Sequence, residues 1–186
     1  MADPKRITLP LTDEMVAELR AGDRVLLSGT LLTARDAAHK KMAALLANGA
    51  ELPVDLKNQV IYYVGPTPAP PGRVIGACGP TTSGRMDAYT PVVLAAGLKG
   101  MIGKGFRSPE VVQALQRHRA VYFAAVGGAG ALLSKCVRAA RVVAYPELGP
   151  EAVHELVVAD FPAVVINDIY GGDLYQEGRR QYAVGK

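Results

Sequence analysis

The sequence predicts an α/β layered domain, in which short buried strands alternate with helices. Strand candidates are short runs rich in β-branched and aromatic residues, such as VIYYV at 60–64. Helix candidates begin at hydroxyl residues and end at Gly or Asn-Gly. The two patterns alternate from residue 84 onward, which is typical of a sheet covered by helices. We predict a single domain over 1–186, because this length suffices for one core.

The first part of the chain has the order strand, helix, strand, helix. A short apolar strand is predicted at 7–9, and a helix follows over 12–19, where a threonine caps the N-terminus and two acidic residues occupy the first turn. RVLLS at 24–28 is predicted to be a buried strand. The next helix is predicted from about 33 to 47, because Asn48-Gly49 is a usual C-terminal signal.

The middle of the chain contains two strand candidates, 60–64 and 73–77, on either side of the loop GPTPAPPG. The four prolines of this loop prevent regular pairing within it. The remaining predicted elements are helices at 84–96, 109–118, 129–138 and 150–157 and strands at 100–103, 121–126, 141–144 and 163–167. The segment from about 170 to 186 is polar and rich in turn residues, so we predict a peripheral C-terminal arm.

Composition limits the classes of protein to which the chain can belong. No run approaches the roughly 20 apolar residues of a membrane-spanning helix, and the N-terminus lacks the apolar core of a signal peptide. We therefore expect a cytoplasmic protein with no membrane partner. The net charge is +4, but the basic residues are dispersed and no nucleic-acid-binding motif is present, so we predict no nucleic-acid partner. A small anionic substrate accounts for the charge equally well.

The chain has two cysteines, Cys78 and Cys136, which lie far apart in the sequence. They form neither a CxxC motif nor a zinc ligand set. An iron–sulfur cluster usually takes four thiolates, so we predict no metal ligand in this chain, and any cluster must come from elsewhere. For Cys78 we favour a packing role, although the role of both cysteines stays open.

The segment GPTTSGRMD at 79–87 follows a predicted strand and opens a predicted helix. Hydroxyl residues and a glycine at a helix N-terminus direct donors toward one point, where the helix dipole also favours an anion. The segment therefore predicts a site for a carboxylate or a phosphate. The alternative, which is commoner in general, is that Thr81, Thr82 or Ser83 caps the helix and Arg85 is solvated.

A second segment, SGTLLTARDAAHK at 28–40, also places a strand end, a glycine and a hydroxyl residue before a charged first helical turn. Arg35 and His39 are four residues apart, so they are predicted to share one helical face and to reach one ligand. The alternative is an exposed helix face on which Asp36 and Lys40 form an ordinary ion pair.

The third segment, MIGKGF at 101–106, places Lys104 between two glycines at the end of a predicted strand. Flanking glycines allow a substrate to approach the lysine closely at the sheet edge where ligands of α/β proteins usually bind. The segment lacks the glycine spacing and the following hydroxyl of a Walker A motif. GGAG at 127–130 resembles half of a dinucleotide fingerprint, but Leu133 replaces its final small residue, which favours a plain turn.

In this order, TARDAAHK (33–40), GPTTSGRMD (79–87) and GKG (103–105) resemble the β region of iron–sulfur-dependent class I fumarate hydratases and L-tartrate dehydratases. The similarity extends over nearly the full chain and includes AYPELGPEAVHELVVADFPAVV at 144–165. It implies a swivelling β/β/α-type layered domain with a mixed sheet flanked by helices. It also implies a [4Fe-4S] cluster, held by the α subunit and not by this chain, over which the domain closes.

The resemblance also implies which side chains bind the substrate. The residues that it places in the active site are Arg35, Thr81, Arg85 and Lys104. We predict that these four residues and the adjacent Thr82 bind the substrate. Thr81 and Lys104 are also the predicted catalytic residues, and His39 and Ser83 are further candidates. Water addition to fumarate builds negative charge next to a carboxylate, so cationic groups stabilise its transition state. Arginine offers a bidentate fork, lysine a point charge, and threonine a hydroxyl that orients substrate or takes part in proton transfer.

These inferences predict the β subunit of a two-subunit hydro-lyase that hydrates fumarate reversibly to L-malate and is active only with its α subunit. We expect a hetero-oligomer such as α2β2. Gly84 before Arg85 and the segment Ala37–His39 favour fumarate hydratase over the alternative, the β subunit of L(+)-tartrate dehydratase. A second alternative is a non-catalytic anion-binding module. The identity of the general base stays open.

Overall fold

A computed structural model describes residues 3–183 of the chain. Over this range the strands are β1 (Lys5–Thr8), β2 (Arg24–Thr33), β3 (Val60–Tyr62), β4 (Gly100–Gly103), β5 (Val121–Ala124), β6 (Val137–Ala144) and β7 (Val153–Asn167). They form one sheet in the order β1-β2-β3-β4-β5-β7-β6. Neighbours from β1 to β5 are parallel, whereas β7 is antiparallel to β2, β5 and β6. The predicted α/β class with a mixed sheet is confirmed.

Helices flank this sheet. The α-helices of the described part are α1 (Asp13–Ala17), α2 (Asp36–Ala47), α3 (Thr90–Ala95), α4 (Pro109–Arg117), α5 (Gly130–Leu133) and α6 (Leu174–Tyr182). The predicted threonine cap of the first helix is present, because the hydroxyl of Thr12 accepts a hydrogen bond from the amide of Met15 at 3.3 Å. Ser108 caps α4 in the same way.

Strand β7 pairs with both β5 and β2, so the strands from β2 to β5 and β7 form a closed set of pairings. Alternate side chains of the parallel strands therefore pack into two separate cores. Tyr62 and Phe123 belong to one core, and Ile61 and Tyr122, which neighbour them along the chain, belong to the other with residues of α2, α3 and α4. Because the strands are buried on both faces, their sequences are continuous apolar runs rather than alternating ones.

The prediction of a helix over 150–157 is wrong. A 3-10 turn at Pro146–Glu151 is followed by the long strand β7, which contains the predicted strand 163–167 as its last part. Buried positions recur at every second residue in the last part of β7, at Phe161, Ala163 and Val165, which is the spacing of a strand. The short stretch before Val158 fits a helical spacing as well, and only the pairing with β2 and β6 decides between the two.

The segment 73–77 is not a strand. It folds back on the proline-rich loop, where the amide of Thr67 donates to the carbonyl of Ala77 at 3.0 Å. A Cβ atom at Gly76 would lie 2.2 Å from the hydroxyl oxygen of Thr67, so this contact requires glycine.

Two predicted helices are interrupted. The helix predicted over 84–96 is a 3-10 turn at Ser83–Met86 followed by α3, whose first turn contains Pro91. The helix predicted over 129–138 is the short α5 and a 3-10 turn, because β6 already begins at Val137. Proline lacks an amide hydrogen, so a new helix starts at this residue more readily than an old one continues through it.

The segment predicted as a peripheral arm contains helix α6. Its residues Leu174 and Tyr175 pack against the core, and the ring of Tyr175 lies 4.9 Å from that of Phe106. Residues 184–186 of the predicted arm lie outside the described residues. Within residues 3–183, no helix is long and apolar enough to cross a membrane.

Candidate active site

The carboxyl ends of four neighbouring parallel strands, β2 to β5, lie at one edge of the sheet. Arg35 follows β2, and Lys104 directly follows β4. Thr81 lies at the end of β3, because its amide donates to the carbonyl of Tyr63 at 2.7 Å. Ligands of α/β proteins bind at this edge. The topology thus brings the three predicted motifs to neighbouring strand ends.

Backbone hydrogen bonds join the threonine motif to the lysine motif. The amide of Lys104 donates to the carbonyl of Thr81 at 3.2 Å, and the amide of Ser83 donates to the carbonyl of Lys104 at 2.8 Å. Thr82 and Lys104 thereby form a short parallel bridge. The position of one motif therefore fixes the position of the other.

Two predicted binding arginines meet at the carboxylate of Asp36. Nε of Arg85 donates to Oδ1 of Asp36 at 2.9 Å. Nη2 of Arg85 lies 2.8 Å from Oδ2, but without the alignment of a hydrogen bond. Nε of Arg35 lies 3.9 Å from the same oxygen, is buried, and has no hydrogen-bond partner in the described part of the chain. The alternative prediction was an ion pair between Asp36 and Lys40. Asp36 instead pairs with Arg85.

A second carboxylate and a glycine define the other side of Arg35. Nη2 of Arg35 lies 3.3 Å from Glu151, whose other oxygen accepts a hydrogen bond from the amide of Ala37 at 3.1 Å. A Cβ atom at Gly65 would lie 2.8 Å from Nη1 of Arg35, so the guanidinium passes directly over this glycine. Two arginines and two carboxylates thus balance in charge at this place.

Lys104 is exposed at the end of β4. Among residues 3–183, no carboxylate lies within ion-pair distance of its ammonium group. Its side chain extends toward the end of β5, since a Cβ atom at Gly127 would lie 3.5 Å from Cδ and 3.9 Å from Nζ of the lysine. The lysine therefore adds a net positive charge to the same sheet edge, on the side away from β2.

His39 lies inside the protein, and the prediction that it shares a helical face with Arg35 is wrong. Helix α2 begins at Asp36, so Arg35 precedes it with extended backbone. The His39 ring is fully buried and packs edge-on against Tyr63. Its Nδ1 lies 2.9 Å from the carbonyl oxygen of Arg35, to which the neutral ring donates. Burial lowers the pKa of His39 to about 4, so the ring is neutral at pH 7.

Ser83 also points inward. Its hydroxyl lies 2.9 Å from that of Tyr122, which donates to the carbonyl of Gly105 at 2.8 Å. Burial raises the pKa of the Tyr122 phenol, which remains protonated. Thr82 is exposed, and Thr81 is partly exposed. Of the three consecutive hydroxyl residues, the two threonines therefore face solvent, and the serine anchors the turn.

Sequence reasoning missed a buried ion pair beneath the motifs. Nε of Arg107 donates to Oδ1 of Asp87 at 2.7 Å, and the arginine side chain is fully buried. The only signal in the sequence was that an aspartate ends the second motif and an arginine follows the third. Neither position indicated that the two residues meet.

The residues of this chain do not fit an iron–sulfur cluster. Cys78 is buried, its pKa is raised to about 11 by burial, and thiolates rather than thiols bind iron. Over the described range, no three side chains of His, Cys, Asp or Glu form a group that could hold a metal ion.

The family model described as Fumarase C-terminus matches residues 2–178. The chain belongs to this family. It is 40% identical over 166 residues to Fumarate hydratase 2 of Leishmania major, covering 88% of this chain and 29% of that protein. It is also 40% identical over 169 residues to the anaerobic class I fumarate hydratase of Escherichia coli strain K12, covering 88% of this chain and 31% of that protein.

A shorter relative matches over most of its length. The chain is 39% identical over 173 residues to the putative L(+)-tartrate dehydratase subunit beta of Methanocaldococcus jannaschii, covering 90% of this chain and 89% of that protein. By contrast, the chain spans about a third of the length of the fumarate hydratases that it matches. The family predicted from the three motifs is therefore confirmed.

Proposed function

We propose that this chain is the β subunit of a [4Fe-4S] hydro-lyase that hydrates fumarate reversibly to L-malate. The observation that carries the proposal is the pair of arginines, Arg35 and Arg85, at one carboxylate on the open edge of the parallel strands. A carboxylate of the substrate can replace that of Asp36 between them. The buried Nε of Arg35, which has no hydrogen-bond partner among residues 3–183, supports this, because such a donor favours an incoming acceptor.

The chemistry of hydration requires cations at this place. Negative charge grows on the carbon and on the carboxylate next to it as water adds, so fixed positive groups lower the transition-state free energy. Arg35 and Arg85 bind the carboxylates through their planar forks. Lys104, which no carboxylate of the described chain neutralises, supplies a further charge. Thr81 and Thr82 present hydroxyls on the same edge, and Thr81 takes part in proton transfer.

A second chain completes the enzyme in this proposal. A bound [4Fe-4S] cluster supplies Lewis-acid chemistry, which we assign to an α subunit because the residues of this chain do not fit a cluster. The name of the Methanocaldococcus relative, subunit beta, supports a separate partner chain. The α2β2 assembly, the closing movement of the domain and the cytoplasmic location stay predictions.

Two alternative functions would use the same residues. The Methanocaldococcus relative favours tartrate dehydratase, which must also bind both carboxylates of a small diacid. A non-catalytic anion-binding module needs the arginines but no partner chain. The motif residues Gly84 and Ala37–His39 favour fumarate.

Co-expression of the chain with its α subunit, followed by anaerobic assay on fumarate and on L(+)-tartrate, tests the proposal. We expect the pair to hydrate fumarate and the chain alone to be inactive. A preference for tartrate would select the dehydratase alternative. If the pair converts neither acid, yet the isolated chain binds dicarboxylates, the binding-module alternative is correct.

A further inference from the structure

Arg107 is a charged side chain with no exposed surface, three residues after Lys104. Its guanidinium makes three hydrogen bonds to oxygen atoms of other residues, and Nη1 also donates to Sδ of Met101 at 3.7 Å. Nε donates to Asp87 at 2.7 Å, Nη2 donates to the hydroxyl of Thr90 at 2.6 Å, and Nη1 donates to the phenol of Tyr63 at 3.3 Å. Arg107 thus links its own loop to Tyr63 and to the stretch from Asp87 to Thr90.

Each of these contacts leads to a segment that carries a predicted substrate residue. The hydroxyl of Thr90 donates to the carbonyl of Met86 at 2.9 Å, and Met86 follows Arg85. The carbonyl of Tyr63 accepts the amide of Thr81 at 2.7 Å. The guanidinium therefore contacts residues that hold the 79–87 motif at two places, near Arg85 and at Thr81.

Asp87 links the turn that contains Arg85 to the loop after Lys104 through both of its carboxylate oxygens. Its Oδ1 accepts from Arg107, and its Oδ2 accepts from the amide of Ser108 at 2.6 Å. Because Asp87 directly follows the 3-10 turn that contains Arg85, both carboxylate oxygens connect this turn to the loop after Lys104.

A buried ion pair gives little net stability compared with a well-packed apolar pair, because both charges lose their hydration. The planar guanidinium, however, directs its donors at fixed angles and so fixes the relative position of its acceptors. We propose that Arg107 is a positioning residue that, with Asp87, holds the Thr81, Arg85 and Lys104 segments in the arrangement that binds the dicarboxylate. The identity of the bound dicarboxylate rests on the proposed function, whereas the arrangement of the three segments does not depend on it.

Arg107→Lys is the informative substitution, since it keeps the charge beside Asp87 and removes the fork. Hydrogen exchange of the isolated chain reads the geometry without any enzymatic assay. The amides to follow are those that join the motifs, at Thr81, Ser83 and Lys104. We expect their exchange to accelerate about tenfold or more, while amides elsewhere in the sheet keep their rates.

Lys99→Met is the matched control. Lys99 lies just before the opposite end of β4, is 13% exposed, and pairs with Asp13. Its removal should destabilise the protein without selective acceleration at the motif amides. If Arg107→Lys leaves these amides unchanged, or accelerates all sheet amides equally, the inference is overturned. If the lysine variant fails to fold, Asp87→Asn is expected to give the same local acceleration, and its absence would equally overturn the inference.

The assembled enzyme provides the second readout. Arg107→Lys should lower kcat/KM about 10- to 100-fold in the wild-type background, but less than about threefold when Lys104→Met is already present, because coupled residues are not additive. Fully additive losses would contradict a positioning role. If the wild-type α and β subunits together are inactive, only the proposed function is rejected. The hydrogen-exchange experiment would still decide the role of Arg107.

Discussion

Nε of Arg85 donates a hydrogen bond to Oδ1 of Asp36 at 2.9 Å, and Nη2 of the same arginine lies 2.8 Å from Oδ2 as an ion-pair contact. Arg35 lies against the same carboxylate from the other side. In the proposed function, Asp36 therefore occupies the position that a carboxylate of the substrate would take. On this proposal, the aspartate competes with the substrate for the two arginines.

Asp36→Asn should tighten the binding of fumarate. The substitution removes the competing charge, and exposed ion pairs of this kind contribute about 0.2–1 kcal/mol, so KM should fall up to about fivefold. Steady-state kinetics of the assembled enzyme measures the change. Asp160→Asn is the matched control, because Asp160 pairs with Arg6 on another part of the surface. A higher KM in Asp36→Asn would instead assign to Asp36 the role of holding the arginines in place.

Arg85→Met should lower kcat/KM about 30- to 1,000-fold, which corresponds to about 2–4 kcal/mol of transition-state stabilisation. The kcat/KM of Arg85→Lys should lie between those of the wild type and Arg85→Met, because a point charge replaces the planar fork. The control is Arg141→Met, since this arginine is also exposed and also pairs with a carboxylate, that of Glu155. Equal losses at residues 85 and 141 would mean that the effect is not one of substrate binding.

Gly103→Ala should destabilise the chain. A Cβ atom at residue 103 would lie 1.9 Å from the hydroxyl oxygen of Ser83, so the serine must move away from Tyr122. We expect the free energy of unfolding to fall by about 1–3 kcal/mol in urea denaturation. Ser83→Ala in the same chain should recover part of this loss, because it removes the obstructing oxygen.

Gly84→Ala is the control for this pair of substitutions. The nearest atom to a Cβ at that position is 3.7 Å away, so its effect should stay within about 0.5 kcal/mol. A failure of Ser83→Ala to recover any stability would show that the collision is not with the serine.

The stability of the chain should depend on the protonation of His39. Burial holds its pKa at about 4, below the 6.5 of an exposed ring, so the unfolded chain binds this proton first as the pH falls. The contribution of this group to the free energy of unfolding is therefore complete above about pH 6.5 and is lost down to about pH 4, by about 3 kcal/mol.

Urea denaturation of the wild type and of His39→Asn at pH 7 and pH 4.5 measures this dependence. The variant should lose less stability between the two values than the wild type. His118→Asn is the control, because this ring is only partly buried and its replacement should leave most of the acid loss in place. Identical pH dependence in the wild type and His39→Asn would contradict the account of the buried ring.

Local patterns predicted much of the fold. Strand β4 has the predicted bounds, because its glycines and the flanking breakers are unambiguous. Val153 to Val158 could not be assigned from the sequence, since the same apolar spacing fits a helix and a strand, and only distant pairing with β2 selects the strand. Likewise, the strand ending at Thr33 is longer than predicted, so the next helix begins only at Asp36 and Arg35 lies outside it.

The site was predictable only in part, for a related reason. Arg35, Thr81 and Lys104 could be placed at one sheet edge because the carboxyl ends of parallel strands coincide. The contacts of Asp36 with Arg85 and of Asp87 with Arg107 join residues 49 and 20 positions apart, and no local spacing predicts them. The inward direction of Ser83 likewise depends on Tyr122, which lies on β5, 39 positions further along the chain.

The most direct measurement is a structure of the assembled enzyme with bound L-malate. The guanidinium groups of Arg35 and Arg85 should lie at hydrogen-bond distance, about 2.7–3.2 Å, from the carboxylates of the ligand, with Asp36 displaced from Arg85. Lys104 should reach the same ligand from the end of β4. A malate molecule bound elsewhere, with Arg85 still on Asp36, would contradict the proposed role of this edge of the sheet.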